Sequence, residues 1–189
     1  MAKGAYIGVN GVAKKIKGGY VGVGGVAKKI KKAYIGVGGI ARPCWGGGDE
    51  PTYYGTATAL STARNGLAAT SVGNYALFGG GFFRYTYPTV VDAYNSSLVR
   101  STPTALSTGR QSLAATSVGD YALFGGGKSG SSVTNVVDAY NSSLVRSTPT
   151  ALSTARYNLA ATSVGDYALF GGGKYSSSAK NVVDAYMVA

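Results

Sequence analysis

Short runs of apolar and polar residues alternate along the whole chain, and glycines or other turn-forming residues separate the runs. The first pattern recurs at every fourteenth position, with copies at residues 5–17 and 19–31 and a shorter copy at residues 33–43. Asn10-Gly11 in the first copy, and Gly-Gly in the later ones, suit a two-residue hairpin turn, because both central residues need positive φ. The pattern predicts one β-hairpin per copy, with Val9 opposite Val12 and Ile7 opposite Lys14.

A helix over residues 12–17 is the alternative to the second strand of the first hairpin, but a single helical turn bounded by glycines is unstable. Hairpins with so little apolar bulk are also marginal by themselves. We therefore expect residues 1–45 to be a β-hairpin module that folds against another chain. Residues 46–52, Gly-Gly-Gly-Asp-Glu-Pro-Thr, read as a linker. A second domain then occupies residues 53–189.

The second pattern has a period of 46 and fills this second domain. Four motifs recur three times, at Thr58, Thr104 and Thr150 (Thr-Ala-Leu-Ser-Thr-Ala/Gly-Arg), at Leu67, Leu113 and Leu159 (Leu-Ala-Ala-Thr-Ser-Val-Gly), at Tyr75, Tyr121 and Tyr167 (Tyr-Ala-Leu-Phe-Gly-Gly-Gly), and at Val90, Val136 and Val182 (Val-Val-Asp-Ala-Tyr). Each unit thus holds four short strand-like runs separated by turn residues. This period with four strands is typical of a propeller blade.

The units resemble the kelch repeat. Arg64 follows a small-residue turn, Gly79-Gly80 ends a strand, and Val91–Tyr94 supplies an apolar-acidic-x-Tyr strand. The usual tryptophan of the fourth strand is missing, and Leu98-Val99 and Leu144-Val145 stand in its place. The resemblance covers residues 55–189. It implies an all-β fold of kelch-like four-stranded blade repeats, three units of 46 residues, preceded by a short β-hairpin meander.

Three units are too few for a closed ring. We expect the segment 53–60 to act as a fourth strand that completes the last unit, within one chain or in a partner. Two chains would then supply six blades. A three-sheet, prism-like monomer and a trimer are the alternatives, so a homo-oligomer, dimer or trimer, is among the expected assemblies.

The Ala-Tyr-Ile-Gly-Val hairpin repeats together with kelch-like units look like proteins of phages and prophages of Gram-positive, clostridia-like bacteria. This resemblance implies a virion structural or decoration protein of the head or tail surface, made in the bacterial host cytoplasm. Residues 1–4 show no signal peptide, and no apolar run reaches the roughly 20 residues of a membrane span, so we expect no membrane insertion. A free bacterial carbohydrate- or protein-binding scaffold is the alternative.

The repeats differ from one another in few places. Residues 104–127 and 150–173 differ only at Gly109/Ala155, Gln111/Tyr157 and Ser112/Asn158, whereas the stretch 82–89 is rewritten in each unit. In a four-stranded blade both variable places lie on one face, as a recognition surface requires. The candidate ligand-binding residues, for a host surface glycan or protein, are Phe82, Phe83, Arg84, Tyr85, Tyr87, Gln111, Lys128, Tyr157, Lys174 and Tyr175. The alternative explanation for these differences is sequence drift in exposed loops that have no binding role.

Charge separates the two parts of the chain. The net charge is +11, and residues 1–48 hold nine basic residues and no acid. The candidate assembly residues are Lys14, Lys15, Lys17, Lys28, Lys29, Lys31 and Lys32. We interpret them as an arm that docks on an acidic surface of other virion proteins. Lysines that guard open strand edges, and nucleic-acid or membrane binding, are the alternatives; we expect no nucleic acid partner.

Catalytic chemistry is poorly represented. The chain has no histidine, which removes imidazole catalysis and histidine–metal sites, and we expect no enzyme activity, cofactor or metal. Asp92, Asp138 and Asp184 recur once per unit, so we predict a structural role for them as partners of the recurring arginines, Arg64, Arg110 and Arg156. The single cysteine, Cys44, can form no internal disulfide and is interpreted as a buried anchor.

Overall fold

The computed structural model of the chain divides into two compact units, Met1–Gly55 and Thr56–Ala189. Residues 51–188 are described with their side chains. Before them, the structure describes the backbone of six strands, in residues 6–9, 12–15, 19–23, 26–30, 32–37 and 40–46. The described residues form antiparallel strands and no helix, which confirms the predicted all-β class.

The described N-terminal strands pair as separate two-stranded hairpins. The strands are β1 (Tyr6–Val9), β2 (Val12–Lys15), β3 (Gly19–Val23), β4 (Val26–Ile30), β5 (Lys32–Val37) and β6 (Ile40–Gly46). The register places Val9 opposite Val12 and Ile7 opposite Lys14, as predicted, and β2 replaces the helical alternative over its residues. In the third hairpin a register shift at Ala33/Tyr34 accompanies longer strands.

The predicted linker is only partly visible in the described residues. Gly46 belongs to β6, residues 47–50 lie outside the described residues, and Pro51 and Thr52 are exposed. The side chains of Cys44 and of the candidate assembly lysines also lie outside the described part of the chain. For Lys17 and Lys31 the backbone lies outside it as well. The predicted roles of these residues stay predictions.

Each unit of the longer period forms one main antiparallel sheet, and we call the units repeat 1 (58–103), repeat 2 (104–149) and repeat 3 (150–188). Repeat 1 contains β7 (Ala68–Val72), β8 (Tyr75–Gly79), β9 (Val91–Tyr94) and β10 (Arg100–Ser101). Repeat 2 contains β11 (Ala114–Val118), β12 (Tyr121–Gly125), β13 (Lys128–Ser129), β14 (Ser132–Val133), β15 (Val137–Asn141) and β16 (Arg146–Ser147). Repeat 3 contains β17 (Ala160–Val164), β18 (Tyr167–Gly171), β19 (Lys174–Tyr175), β20 (Ser178–Ala179) and β21 (Val183–Met187).

The main sheets have four strands in repeats 1 and 2, in the orders β7-β8-β9-β10 and β11-β12-β15-β16, and three in repeat 3, in the order β17-β18-β21. The short hairpins β13-β14 and β19-β20 form separately in the loops between the second and third long strands. The first two long strands of each sheet meet at a Gly-Asn or Gly-Asp turn. Its glycine has positive φ, 53° at Gly73, which is what the first central position of a type II′ turn requires.

Two strand predictions for the repeats are wrong. The run 58–64 contains no strand, and the fourth strand is Arg100–Ser101 and not Leu98-Val99. The Asn95 side-chain oxygen accepts hydrogen bonds from the backbone N–H groups of Ser97 and Val99, at 3.0 Å each. This local turn holds Leu98 at a φ of 60°, which excludes it from a strand.

Within one chain, the predicted fourth strand at residues 53–60 is not formed, and its pairing across to a partner chain stays a prediction. Residues 51–64 contain no strand, and Tyr53 and Tyr54 are 85% and 92% exposed. A strand needs a partner for its backbone groups, and no described strand pairs with this segment. The sheet of repeat 3 therefore keeps β21 as an unpaired edge, and the described residues form no closed ring.

The core lies at two junctions between neighbouring sheets. At the first, the socket face of repeat 1 receives the plug face of repeat 2. The buried socket residues are Val72, Leu77, Val91 and Ala93, and the buried plug residues are Leu106, Leu113, Ala122, Phe124 and Tyr140. The second junction repeats this arrangement, with Ala114, Val118, Leu123, Val137 and Ala139 facing Leu152, Leu159, Ala168 and Phe170.

A glycine at the centre of each socket face makes room for a phenylalanine of the plug face. A Cβ placed on Gly79 would lie 2.9 Å from the Phe124 ring, and one on Gly125 would lie 2.8 Å from the Phe170 ring. Such distances leave no space for any side chain but hydrogen, so the repeated Gly at the end of the second strand is a packing requirement. At Gly171 the same position meets only a Val183 methyl, at 3.6 Å.

Candidate functional site

A buried ion pair positions the loop that precedes the first strand of each repeat. We call this segment, residues 61–67, 107–113 and 153–159, the lead loop. Its arginine reaches the aspartate of the third long strand. The Arg Nη2 to Asp Oδ2 distances are 2.8 Å for Arg64–Asp92, 2.9 Å for Arg110–Asp138 and 2.6 Å for Arg156–Asp184. These contacts confirm the predicted arginine–aspartate pairing.

The same arginines also bind backbone carbonyls. Arg64 donates from Nε to the Gly80 carbonyl at 2.8 Å and from Nη2 to the Phe78 carbonyl at 3.1 Å. Burial by itself would raise the pKa of Asp92, but the hydrogen bonds from Arg64 and Ser61 outweigh it, and the pKa lies below its usual 3.8. The carboxylate and the guanidinium together fix the lead loop to the sheet.

A tyrosine hydroxyl anchors the chain just before each lead loop. Tyr94, Tyr140 and Tyr186 donate hydrogen bonds to the carbonyls of Thr58, Thr104 and Thr150, at 2.7, 2.8 and 2.9 Å. Burial raises the pKa of Tyr186 to about 12, so its hydroxyl keeps its proton at neutral pH. The lead loops are therefore held at both ends by groups that recur in every repeat.

Each lead loop lies directly beside the loop that connects the second and third long strands. We call this second segment, residues 80–90, 126–136 and 172–182, the middle loop. Paired backbone hydrogen bonds of 2.8–3.1 Å join them, between Asn65 and Phe82, Gln111 and Lys128, and Tyr157 and Lys174. The two segments that vary between repeats are thus neighbours.

The lead loops also contact one another across the repeats. The Ser112 N–H donates to the Gly66 carbonyl and the Asn158 N–H to the Ser112 carbonyl, at 2.8 Å each. All three residues have left-handed backbones, with φ of 62°, 55° and 54°. The variable positions 65, 111 and 157 immediately precede these residues and run along one side of the molecule. We call this side the variable face.

Repeat 1 contributes an aromatic group to the variable face. The Phe82 ring lies 5.3 Å from the Tyr87 ring and 6.4 Å from the Tyr85 ring, and the Arg84 guanidinium lies 5.0 Å from the Phe83 ring centre. A tight turn closed by hydrogen bonds between Phe83 and Thr86 holds Arg84 and Tyr85 outward.

The backbone of that turn is unusual. Arg84 and Tyr85 have φ values of 44° and 66°, which Asn-Gly would adopt readily and bulky side chains rarely adopt. Tyr85 is 93% exposed. Strained residues that point into solvent often serve a function, so this turn is a strong candidate contact point.

Repeats 2 and 3 together form the second group, the lysine–tyrosine groove. Lys128 Nζ lies 4.5 Å, and Lys174 Nζ 5.3 Å, from the centre of the Tyr157 ring. The Tyr157 hydroxyl donates to the Ser176 carbonyl at 3.2 Å, which holds the ring in place. The groove is lined by Lys128, Gly130, Ser131, Val133, Tyr157, Tyr175 and Ser176.

Most candidate residues named from the sequence therefore fall into these two groups. Gln111 lines neither the lysine–tyrosine groove nor the notch beside Phe82, because its side chain lies against Gly66 of the neighbouring lead loop. Sequence reasoning missed Asn65, which lines a notch with Phe82 and Phe83, and the small groove residues Gly130, Ser131, Val133 and Ser176. The groove residues lie in the rewritten stretches, and Asn65 is the counterpart of the variable Gln111 and Tyr157; both facts were signals that could have found these residues.

One difference between repeats has a packing cause. Gly109 replaces the alanine found at 63 and 155, and a Cβ at Gly109 would overlap the carbonyl oxygen of Tyr87. The aromatic middle loop of repeat 1 thus requires glycine in the lead loop of repeat 2. Variation at this position reflects contact between loops and not contact with a ligand.

Within the described residues, no group of three cysteine, aspartate or glutamate side chains is placed to hold a metal ion. The same part of the chain contains no helix long and apolar enough to cross a membrane. The variable face offers aromatic rings, cations and backbone polar groups, which suit stacking and hydrogen bonding to a polar ligand with a ring. A scan against protein-family models finds no match to this chain, and a search of curated proteins finds no matching protein.

Proposed function

We propose that the chain is a non-enzymatic structural or decoration protein of a bacteriophage particle whose variable face binds a glycan or protein of the host surface. The variable face is the observation that supports the binding part of this proposal. Residues that differ between repeats lie side by side on a scaffold whose arginine–aspartate pairs and tyrosine anchors recur in every repeat and whose two junctions use equivalent residues. Recognition surfaces are commonly loops positioned by a rigid scaffold.

The lysine–tyrosine groove favours a saccharide as the ligand. Tyr157 can stack on a sugar ring, while the two lysines, whose Nζ atoms lie 4.5 Å and 5.3 Å from its ring centre, can bind hydroxyl or carboxylate groups. Tyr175, which is 52% exposed, also lines the groove. These side chains come from different repeats, so the groove exists only in the folded domain.

The particle half of the proposal is supported by the resemblance of the hairpin repeats and kelch-like units to phage and prophage proteins. The basic hairpins would serve as the attachment to other virion proteins, and the second domain would face outward. The same arrangement without a particle corresponds to a free bacterial binding scaffold. These two functions differ in where the protein is found.

Immunogold electron microscopy of particles released by the bacterium that encodes the chain separates the two. We expect antibodies against the second domain to label intact particles at regular positions. Antibodies against a cytoplasmic protein of the same cells serve as the control. Label found only in free protein fractions would contradict the virion role and support the free scaffold.

A Tyr157→Ala variant tests the binding half. We expect the wild-type protein to bind members of a panel of immobilised Gram-positive cell-wall polysaccharides, and the variant to bind them roughly tenfold more weakly, because it loses a stacking surface worth about 1 kcal/mol or more. Tyr53→Ala is the matched control, since Tyr53 is 85% exposed and lies outside the variable face. Equal binding by both variants would exclude the groove as the site, and no binding by the wild type would refute the glycan ligand.

A further inference from the structure

Among the described residues, the two outermost faces of the repeat domain lack the neighbouring sheet that covers the equivalent faces inside the domain. On the socket face of repeat 3, Val164 is 62% and Val183 60% exposed, whereas the equivalent Val118 and Val137 of repeat 2 are 7% and 0% exposed. Gly171, at the centre of this face, meets no ring from a following repeat. Repeat 3 therefore presents an unfilled socket.

The plug face of repeat 1 is uncovered at the other end. Phe78 is half-buried and Ala76 exposed, whereas the equivalent Phe124 and Ala122 of repeat 2 are fully buried. A mainly apolar groove crosses this face. Its lining residues are Ala57, Thr58, Leu60, Ala76, Phe78, Tyr94 and Leu98.

The two uncovered faces are chemically the same as faces that already pack together. The socket residues of repeat 3, at 160, 164, 169, 171, 183 and 185, are identical to those of repeat 2. The plug residues of repeat 1, at 60, 67, 76, 78 and 94, are identical to those of repeats 2 and 3. A contact between them would repeat the two junctions inside the chain, with Phe78 over Gly171.

A free strand edge accompanies the unfilled socket. In repeat 2, Arg146 and Ser147 pair with Tyr140 and Ala139 to complete the sheet. In repeat 3 the equivalent Tyr186 and Ala185 pair with β18 on one side, but no described strand pairs with their other side. The residues that stand one full period before Arg100–Ser101 are Tyr54 and Gly55, and Tyr54 is 92% exposed.

We infer that the chain associates head to tail with a second copy of itself, the plug face of repeat 1 in one copy filling the socket face of repeat 3 in the other. In this contact Tyr54 and Gly55 of the incoming copy lie along the free edge of β21. Two copies of three repeats give six main sheets. Radial β-sheet assemblies have roughly four to eight sheets, and six is the one multiple of three in that range. Closure uses both uncovered faces of both copies, so association stops at a pair.

Variants on each face test the inference on the whole 189-residue chain by sedimentation equilibrium. We expect the wild type to have twice the 19.1 kDa chain mass. Gly171→Val blocks the socket and Ala76→Arg the plug, so each variant alone is expected to remain a monomer at concentrations at least tenfold above those at which the wild type pairs. The exposed Ser177→Val is the control and should pair normally.

Mixing the two variants gives the decisive result. A head-to-tail contact predicts that an equimolar mixture recovers pairs, because the intact socket of Ala76→Arg can receive the intact plug of Gly171→Val. A symmetric contact between two copies of the same face would instead leave one of the two variants able to pair by itself, because each substitution alters only one face. Urea unfolding of the dilute proteins checks that both variants fold, and Val183→Lys replaces Gly171→Val should the latter unfold.

Three results would overturn the inference. They are a wild type that stays monomeric, variants that still pair, and a mixture that stays monomeric. A ladder of masses at successive multiples of 19.1 kDa would instead refute closure into a pair. Since no ligand is involved, failure of this test is independent of the glycan and particle experiments.

Discussion

Asp92→Asn is expected to destabilise the repeat domain by about 3–5 kcal/mol. The Asp92 carboxylate and the Arg64 guanidinium are 2.8 Å apart, and both side chains are 0% exposed. Removing one charge of a buried pair leaves the other without compensation, which costs far more than losing a surface pair. Urea unfolding followed by tyrosine fluorescence measures the loss.

Asp120→Asn is the matched control for that substitution. Asp120 lies in the exposed turn between β11 and β12, and repeat 1 carries Asn74 at the same place. We expect a change within about 0.5 kcal/mol. Equal effects of the two substitutions would show that the buried charge pair does not hold the lead loop.

The pH dependence gives a second readout for the same pair. The pKa of Asp92 is lower in the folded protein than its ordinary value of 3.8. At pH values between the folded pKa and this ordinary value, the folded chain therefore binds fewer protons than the unfolded chain. Its contribution to stability is complete above that ordinary value and is lost as the pH falls through the folded pKa. The difference in the free energy of unfolding between wild type and Asp92→Asn should therefore become smaller below about pH 4. A difference that stays constant with pH would contradict the lowered pKa of Asp92.

Phe124→Ala has the other large expected effect, a loss of about 3–5 kcal/mol. The Phe124 ring is fully buried at the junction of repeats 1 and 2, with Gly79 beneath it and the Tyr140 ring 5.9 Å away in an edge-on arrangement. Truncation leaves a cavity that the two rigid sheets cannot close. Thermal or urea unfolding at low protein concentration measures the change.

Phe78→Ala provides the comparison within the same chain. Phe78 makes the same edge-on contact with Tyr94, with ring centres 5.8 Å apart, but it is only half-buried because no sheet among the described residues packs against its face. In the dilute monomer we expect a loss below about 2 kcal/mol. Losses of equal size would mean that burial at the junction does not determine the contribution of this phenylalanine.

The periodicities were sufficient to predict much of the secondary structure. Asn10-Gly11 placed the first hairpin register correctly, because a two-residue turn allows only one pairing. The longer period placed one sheet in each unit, and the recurrence of Arg64 and Asp92 predicted their pairing. Turn-forming residues and repeated residues of opposite charge can be recognised directly in a single sequence.

The failed strand predictions have two different causes. The run 58–64 alternates like a strand but forms none, since its arginine turns inward to Asp92 and its backbone has no strand beside it among the described residues. The predicted strand at Leu98-Val99 fails for a local reason, because the Asn95 side chain accepts hydrogen bonds from Ser97 and Val99 and Leu98 has a φ of 60°. A contact distant in sequence outweighs the strand pattern in the first case, and turn chemistry that the sequence interpretation overlooked does so in the second.

By itself, the sequence determined the β class, the two repeat periods, the buried charge pairs and the segments that vary, because each follows from spacing and residue type within one unit. Only the tertiary structure decided which variable residues meet, since Lys128 and Tyr157 belong to different repeats and come together across a junction. It also decided that one socket and one plug stay uncovered, because identical residues are buried or exposed according to whether a neighbouring sheet lies against them.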